Sequence, residues 1–444
     1  MSKTAVILFP GSNCELEAVR ACFRSNLAAE IFRWNDDYSK LKNYDAYIIP
    51  GGFSYEDRGR SGVIASKDPL MEKIKHEAGK GKPLLGICNG AQILVETGLI
   101  PGLTHENIEM ALAWNERLKK GKILGVGFYN DWVFIRHNSK PGRSVFNNFS
   151  SSTIMRVPVA HGEGRFTTRE KGLLPNLIKN DQALFRYCDA NGKFTADFPV
   201  NPNGAIYNLA GICNPEGHIM ALMPHPERTV LGQPLFDSLA NHLHAGKKIL
   251  VKPLPQKIKI KPVTESIQKL KQKPDITILI ELIITDNEEK TIENTLRRLN
   301  FKNIRLKRKI FLGLHLKNKK ALTATSKLTS LAEKLLRSGE ILNLHKEIPT
   351  IFINKKTYGF STEKGLTEIK NPLSPGFHFF VTEYNNYSGK SIQANLQHHL
   401  KNITIEKIEK GVFWTVLQNK NINEIINTHI FHNTHSMKLV AFDS

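Results

Sequence analysis

The sequence KPLLGICNGAQ, from Lys82 to Gln92, places one cysteine between two glycines. The apolar residues before Cys88 predict a buried strand, and the residues from Ala91 onward predict the start of a helix. Gly86 and Gly90 leave room for a sharp turn, because larger side chains would collide with a neighbouring strand or helix. Such a turn lifts the thiol out of the backbone, and the helix N-terminus favours its thiolate form. Taken alone, the stretch fits a nucleophilic cysteine and an ordinary buried cysteine about equally well.

Strands and helices are predicted to alternate over residues 1–245. The predicted strands are 5–9, 30–34, 44–50, the strand before Cys88, 205–212 and 218–223, and the predicted helices are 15–25, 69–79 and 235–244. The region 114–198 is richer in β-like and loop sequence. Such alternation predicts an α/β fold of three layers, in which helices cover both faces of a parallel sheet. Functional sites in these sheets form beyond the carboxyl ends of the strands.

A histidine and a glutamate follow the predicted strand 218–223, in the sequence PHPER at 224–228. A thiol nucleophile that acts on an acyl group needs a base and a group that orients the base. In an extended chain, residues two apart point to the same side, so the Glu227 carboxylate can reach the His225 imidazole. The sequence therefore predicts a catalytic triad of Cys88, His225 and Glu227.

Backbone N–H groups near the thiol are the candidate donors to an oxyanion. Asn89 directly follows the cysteine, and Gly51, Gly52 and Phe53 follow the predicted strand 44–50, with Gly52 or Phe53 as the second donor. Gln92 lies one helical turn beyond Cys88 and could bind the polar end of a substrate. Taken alone, the two adjacent glycines also fit an ordinary turn after a strand.

The motifs GICNGAQ (86–92) and PHPER (224–228) resemble those of class I glutamine amidotransferases. Four further motifs, FPGSNC (9–14), PGGFSY (50–55), AHGEGRF (160–166) and NPNG (201–204), resemble the PurQ family of glutaminase subunits of phosphoribosylformylglycinamidine synthase. The resemblance covers about residues 3–245 and implies a flavodoxin-like amidotransferase fold. Glu56 and Arg58 depart from it, since many relatives have a glycine and another residue there, and the stretch 117–126 is irregular against the family pattern.

The resemblance implies a reaction and a partner. Cys88 would attack the side-chain amide of glutamine, form a glutamyl thioester and release ammonia, after which water would free glutamate. The ammonia would pass to a PurL-type synthetase, which uses ATP and Mg²⁺ to convert formylglycinamide ribonucleotide to the amidine in purine synthesis. This sequence contains no Walker A motif and no metal-ligand spacing, so we expect no cofactor and no metal in the chain itself.

A Lys- and Pro-rich linker is predicted at 246–275, followed by a weak internal repeat over 276–444. Both copies, about 100 residues apart, have a strand, a helix and a long strand, predicted at 276–284, 289–296 and 303–316 and again at 379–384, 389–396 and 402–417. A helix at 421–428 and an edge strand at 437–442 follow. A half-sheet of this size is expected to pair with its sister copy.

The repeat resembles two tandem PurS subunits, which implies an α+β module that docks the synthetase. An unrelated α+β appendage is the alternative. His429, His432 and His435 have a spacing of three, but their Asn- and Thr-rich surroundings favour a solvated loop over a metal site.

Composition limits the other classes of function. The chain has 444 residues, enough for two or three domains, and no apolar run near the ~20 residues that span a bilayer. Its five scattered cysteines, without a CxxC pair, favour a reducing cytoplasm. The net charge of +21 lies mostly after residue 245, where Lys and Arg outnumber Asp and Glu by 34 to 17. These lysines are dispersed and no RNA-binding signature accompanies them, so we expect neither a nucleic-acid nor a membrane partner.

Two other functions stay open from the sequence. One is another hydrolase with a cysteine elbow and the same fold, such as a peptidase or a deglycase-like enzyme, which would not use glutamine as its amide donor. The other is an assembly scaffold without catalysis. The presence of Cys88, His225 and Glu227 together argues against the scaffold, which needs none of them.

Overall fold

The structure is a computed structural model that describes residues 2–104, 107–247, 249–251, 267–317, 324–370, 372–400, 403–417 and 421–442. The chain divides into two compact units, residues 1–263 and residues 264–444. Most of the Lys- and Pro-rich stretch predicted as a linker lies outside the described residues. Within the described part, no helix combines the length and the apolar character needed to cross a membrane.

The first unit contains thirteen strands and six helices among its described residues. The strands are β1 (Lys3–Leu8), β2 (Ala28–Arg33), β3 (Ala46–Ile49), β4 (Leu84–Ile87), β5 (Ala111–Ala113), β6 (Glu116–Lys119), β7 (Lys122–Val126), β8 (Tyr129–His137), β9 (Ile154–His161), β10 (Arg165–Thr167), β11 (Phe185–Cys188), β12 (Leu209–Cys213) and β13 (Ile219–Leu222). The helices are α1 (Glu15–Arg24), α2 (Val63–Ser66), α3 (Pro69–Gly79), α4 (Asn89–Glu96), α5 (Leu173–Lys179) and α6 (Gln233–His244).

Nine of these strands form one mixed sheet in the described residues, in the order β2-β1-β3-β4-β13-β12-β11-β8-β9. The predicted parallel pairing is confirmed from β2 to β13, and every strand of this part except the edge strand β2 is buried on both faces. The pairs from β13 to β9 are antiparallel, which the sequence analysis did not predict. The connection from β12 to β13 covers only 214–218, and so short a link makes a hairpin, because a parallel crossover needs a dozen or more residues.

One strand of the first unit begins later than predicted. The sequence predicts a strand from residue 205, but Ile206–Asn208 forms a short 3₁₀ turn and β12 begins at Leu209. Tyr207 and Asn208 have left-handed φ values of 54° and 56°. The Asn208 side-chain amide holds this turn, because it donates hydrogen bonds to the carbonyl oxygens of Tyr187 and Thr195.

The second unit is a single antiparallel sheet with helices on one face. Its strands are β14 (Ile276–Leu282), β15 (Arg305–Leu316), β16 (Glu347–Ile353), β17 (Lys356–Ser361), β18 (Gly365–Ile369), β19 (Phe377–Glu383), β20 (Ile405–Leu417) and β21 (Met437–Ala441), and its helices are α7 (Asn287–Arg298), α8 (Thr325–Arg337), α9 (Tyr387–His398) and α10 (Ile422–Ile426). The eight strands found in the described residues have the order β18-β17-β16-β14-β15-β20-β19-β21. As the repeat predicts, the two half-sheets join, through the long strands β15 and β20.

The first copy of the repeat is larger than predicted. The first copy has its own second helix and third strand, α8 and β16, which correspond to α10 and β21. The same turn precedes both third strands: the Asn343 side chain accepts from the His345 N–H at 3.1 Å, and the Asn433 side chain accepts from the His435 N–H at 3.0 Å. Both copies are therefore β-α-β-α-β units.

The loop with the three histidines is not solvated, contrary to the prediction. His432 and His435 are each only 3% exposed, and Asn433 between them is fully buried. Phe431 anchors this loop, because its ring packs edge-on against Phe379 at 5.2 Å and against Trp414 at 5.1 Å. The aromatic contacts bring the polar residues that follow Phe431 into the interior.

Candidate active site

Cys88 lies at the turn between β4 and α4, with φ 51° and ψ −104°. Two close approaches make this turn possible. A Cβ on Gly86 would lie 2.5 Å from the Gly90 carbonyl oxygen, and a Cβ on Gly90 would lie 2.8 Å from the Ile49 carbonyl carbon on β3. Only glycine fits at both positions, so the strained cysteine and its two glycines form one elbow.

The structure brings His225 and Glu227 to this elbow. The His225 Nδ1 and the Glu227 Oε1 are 2.6 Å apart, and both residues are 2% exposed. Their connection differs from the predicted extended chain, because Pro226–Arg228 forms a 3₁₀ turn. The turn that Pro226 opens curls the carboxylate back onto the imidazole.

Burial opposes a charge on His225, but its neighbours outweigh burial. The Glu227 carboxylate, the Cys88 sulfur and hydrogen bonds to Cys14 and Cys88 raise the pKa of His225 well above its usual value. The imidazolium form is therefore favoured next to the Cys88 sulfur. An imidazolium beside a thiolate is the arrangement that activates a cysteine nucleophile.

A second thiol, Cys14, lies beside the same histidine, and the sequence analysis missed it. The Arg228 Nη2 donates to the Cys14 Sγ at 2.8 Å. Ligand atoms of Cys14, His225 and Glu227 lie within 4.8 Å of one another, as in a metal site. The guanidinium against the sulfur repels a cation, and the other two groups already hold each other, so the set does not fit a metal. Its only sequence signal was the motif FPGSNC, which was used for the resemblance alone.

The structure distinguishes the candidate oxyanion donors by the hydrogen bonds that their N–H groups make. The Phe53 N–H donates to the Gly11 carbonyl oxygen at 2.9 Å, which leaves the Gly52 N–H as the candidate on this loop. A Cβ on Gly51 would lie 2.6 Å from the His225 ring, so Gly51 makes room for the histidine. Asn89 begins α4 directly after the thiol, where its N–H is one of the first of the helix.

A cavity of about 200 Å³ contains the cysteine. Its walls combine backbone, aromatic rings and a few polar groups, and they comprise Gly52, Phe53, Asp57, Ser61, Cys88, Gln92, Trp114, Phe128, Ala160, His161, Gly162 and Glu163. A more open cleft of about 770 Å³ lies along α8 in the second unit, but none of the predicted site residues lines it. The smaller cavity is the candidate substrate site.

A hydrogen-bonded network of side chains forms one wall of this cavity. The Asn89 Oδ1 accepts from the Ser54 N–H at 3.1 Å, and its Nδ2 donates to the Gln92 Oε1 at 2.9 Å and to the Asp57 Oδ1 at 3.2 Å. The Gln92 Nε2 donates to the Glu163 carbonyl oxygen at 2.7 Å. Gln92, for which the sequence predicts contact with the polar end of a substrate, thus lies on the wall, whereas Asp57 was not identified from the sequence.

His161 also lines the cavity, as a neutral imidazole. The Asn115 Oδ1 accepts from the Gly164 N–H at 2.9 Å, so the Asn115 Nδ2 is the atom that faces the His161 Nδ1, at 3.2 Å. The Nδ1 therefore accepts, and the proton of His161 lies on Nε2. Burial, and then the charge of His225, lower the pKa of His161 to about 3.

The known proteins that this chain resembles match its first unit. The family of CobB/CobQ-like glutamine amidotransferase domains matches residues 1–239. Phosphoribosylformylglycinamidine synthase subunit PurQ of Methanothrix thermoacetophila is 45% identical over 227 residues, which are 51% of this chain and 86% of that protein. PurQ of Thermomicrobium roseum is 41% identical over 257 residues, 56% of this chain and 98% of the relative. The solved structure of PurLQS from Thermotoga maritima is 30% identical with a TM-score of 0.42, covering 55% of this chain and 99% of that one.

Proposed function

The chain belongs to the family of CobB/CobQ-like glutamine amidotransferases, and on that premise we propose that it is the glutaminase component of phosphoribosylformylglycinamidine synthase. The observation that carries this proposal is the strained Cys88 elbow, with the buried His225–Glu227 pair beside it. The PurQ relatives support the choice of reaction within the family. We place this reaction in the cytoplasm, which the five free thiols support, since all five cysteines lie in the described residues.

In the proposed mechanism, the Cys88 thiol gives its proton to His225, and the thiolate attacks the side-chain amide carbon of glutamine. The N–H groups of Asn89 and Gly52 stabilise the oxyanion that forms. The imidazolium, oriented by Glu227, then gives its proton to the leaving nitrogen, and ammonia departs from a glutamyl thioester. Water attacks the thioester while His225 takes its proton, glutamate departs, and His225 returns the proton to the Cys88 sulfur.

The ammonia serves a PurL-type synthetase, which holds the ATP and Mg²⁺ and converts formylglycinamide ribonucleotide to the amidine. We assign the docking of this synthetase to the second unit. Four large apolar side chains are exposed near one end of its sheet: Ile283, Ile284, Leu344 and Ile348, at 55%, 65%, 39% and 46%. The Ile283 N–H donates to the Lys346 carbonyl oxygen, which brings the two segments together. An exposed apolar group of this kind is typical of an interaction site.

Glutamate release from glutamine tests the catalytic assignment. We expect the full chain to release glutamate, faster when the synthetase, its ribonucleotide and ATP are present, and Cys88→Ala to release none. Cys213→Ala is the matched control and should stay active, because Cys213 is another buried thiol of the sheet, on β12. Release that survives in Cys88→Ala would refute the nucleophile. Hydrolysis of other amides but not glutamine would favour another hydrolase, and an inactive, folded chain that binds the synthetase would favour the scaffold.

The docking assignment is tested with two exposed isoleucines of the second unit. Ile284→Asp should weaken binding to the synthetase by about 10-fold, as expected for a central apolar contact of an interface. Ile369→Asp is the matched control, since Ile369 is 39% exposed on the edge strand β18. Both affinities are measured by titration of the synthetase with the full chain. Equal affinities for the two variants would contradict docking at this surface.

A further inference from the structure

Three consecutive residues in a wall of the cavity have left-handed backbones. Tyr55, Glu56 and Asp57 have φ values of 53°, 58° and 52°, and none is a glycine. A left-handed conformation costs a residue with a side chain roughly 1–2 kcal/mol. The turn persists because its groups are held: the Tyr55 N–H donates to the Pro10 carbonyl oxygen, and the Tyr55 hydroxyl donates to the Asp68 carboxylate, both at 2.6 Å. Strain of this kind concentrates at functional sites, so the residue that the turn presents to the cavity is of interest.

That residue is Asp57, which lines the cavity together with Cys88. Burial raises the pKa of Asp57 to about 6, although hydrogen bonds from Ser61 and Asn89 oppose the rise. The two groups that donate hydrogen bonds to this carboxylate, Ser61 and Asn89, are therefore both uncharged. A half-buried carboxylate gains most from a cation that enters its cavity, because the cation replaces the lost hydration of the charge.

Glutamine carries such a cation at a suitable distance from its reacting carbon. A sphere of 200 Å³ is about 7 Å across, and extended glutamine spans about 5 Å from its amide carbon to its amino nitrogen. A substrate bound to Cys88 in this space therefore has its α-ammonium within reach of the residues that line the cavity, Asp57 among them. Asp57 is joined to the elbow through the Asn89 side chain, so its position relative to the thiol is well defined.

We propose that Asp57 binds the α-ammonium group of glutamine and thereby selects an amino acid over a simple amide. This inference rests on the proposed glutaminase function and adds a specificity residue to it. An ionised carboxylate is needed for the contact, so the kcat/KM for glutamine should fall as the pH drops below about 6, where Asp57 takes up a proton. The fall should come from KM and leave kcat nearly unchanged, because the ammonium contact is equal in ground and transition states.

The test compares glutamine with glutaramate, which has the same amide but no amino group. In the full chain with its synthetase, Asp57→Asn should lower kcat/KM for glutamine by about 10- to 100-fold, the usual range for a hydrogen bond to a charged group. The kcat/KM for glutaramate should stay within a few-fold, and the acid limb of the pH profile for glutamine should disappear. Glu163→Gln is the competing variant, because Glu163 also lines the cavity, and it should keep the preference for glutamine.

Several outcomes would overturn the inference. They are an equal loss for both substrates in Asp57→Asn, no loss for either, or a loss of preference in Glu163→Gln instead. Asp57→Ser is the second variant if Asp57→Asn does not fold, and it should show the same selective loss. Calorimetric binding to Cys88→Ala supplies a readout without turnover. We expect Cys88→Ala to bind glutamine more tightly than glutaramate, and we expect Asp57→Asn, added to Cys88→Ala, to remove this difference. That result would support the inference even if the wild type did not hydrolyse glutamine. A wild type without glutamine hydrolysis would refute only the proposed function.

Discussion

Helix α4 touches strand β3 at Gly90, and the substitution Gly90→Ala tests whether this contact positions the nucleophile. A Cβ at this position would lie 2.8 Å from the Ile49 carbonyl carbon and closer still to its oxygen. Carbon atoms in contact prefer 3.5–4.0 Å, so the helix must move away by about 1 Å. The added methyl group therefore displaces the first turn of α4, which directly follows Cys88.

The expected loss in kcat follows from the fact that His225 does not move with helix α4. His225 is held by its own N–H bond to the Pro158 carbonyl oxygen at 2.9 Å and by Glu227. A shift of about 1 Å between the thiol and its base costs on the order of 100-fold in kcat. Overpacking of this kind also lowers the free energy of unfolding by about 1–3 kcal/mol. We expect both losses in Gly90→Ala.

Gly79→Ala is the matched control. Gly79 ends α3, and a Cβ there would meet nothing within 4 Å. This variant should keep wild-type kcat and gain up to about 1 kcal/mol in stability, because alanine is the better helix former. Glutamate release gives kcat, and urea unfolding gives the free energy. A folded Gly90→Ala protein with wild-type kcat would refute the view that the close approach of α4 to β3 sets the position of Cys88.

Three further predictions concern stability and pH. Arg60 and Glu96 form a buried ion pair with bonds of 2.5 and 3.1 Å. In urea unfolding, Arg60→Met or Glu96→Leu alone should therefore lower the free energy of unfolding by about 3 kcal/mol, because each leaves a buried charge unpaired. The double variant should lose much less than the sum of the two, and additive losses would contradict this expectation. The pKa of His161 is about 3 in the folded protein and about 6.5 in the unfolded chain. Since only the unfolded chain takes up this proton, the free energy of unfolding should fall by about 2 kcal/mol through this group between neutral pH and pH 5. In urea unfolding at several pH values, His161→Gln should remove this part of the pH dependence. Glu56→Gly should raise the unfolding free energy by up to about 1 kcal/mol, because φ is +58°, and an unchanged or lower urea midpoint would show that the left-handed backbone carries no strain.

The parts of the site that sequence reasoning found are local in the chain. The elbow around Cys88 is readable because strand, thiol, glycines and helix follow one another within a few residues. His225 and Glu227 are two residues apart, so their contact could be predicted even though the backbone between them is a turn and not an extended segment. The parallel half of the sheet follows from the alternation of strands and helices.

The parts that were missed depend on contacts between distant segments. Cys14 and Arg228 are 214 positions apart in the chain, and no local sequence pattern at either residue predicts their contact. The Phe53 N–H is used by Gly11, a bond that no local pattern shows. Asp57 was missed because its turn lacks the glycine or asparagine that usually marks a left-handed backbone.

The second unit shows the same division between local and distant information. The long strands β15 and β20 were found because β15 has apolar residues at every second position from 310 to 316 and β20 ends in the run VFWTVL. The third strand of the first copy, β16, was missed, although β21, which pairs with β19 as β16 pairs with β14, was found. The structure shows that the two strands are alike, because the same turn precedes both, where Asn343 and Asn433 make the same bond.

Two segments of the first unit with left-handed backbones, at Cys88 and at Asp57, line one cavity. Cys88 has a left-handed φ outside the usual helix and strand regions, and the turn that ends at Asp57 is left-handed throughout. Arg60, three residues beyond Asp57, is buried in an ion pair with Glu96 at the end of α4. The pair thus joins the strained turn to the helix that begins directly after Cys88. Local sequence preferences oppose each of these features, and they persist because the surrounding structure holds the turn and the helix against each other. Breaking the ion pair should therefore weaken glutamine binding through Asp57 as well as stability, and a rise in KM for Arg60→Met at unchanged kcat is the result that this coupling requires.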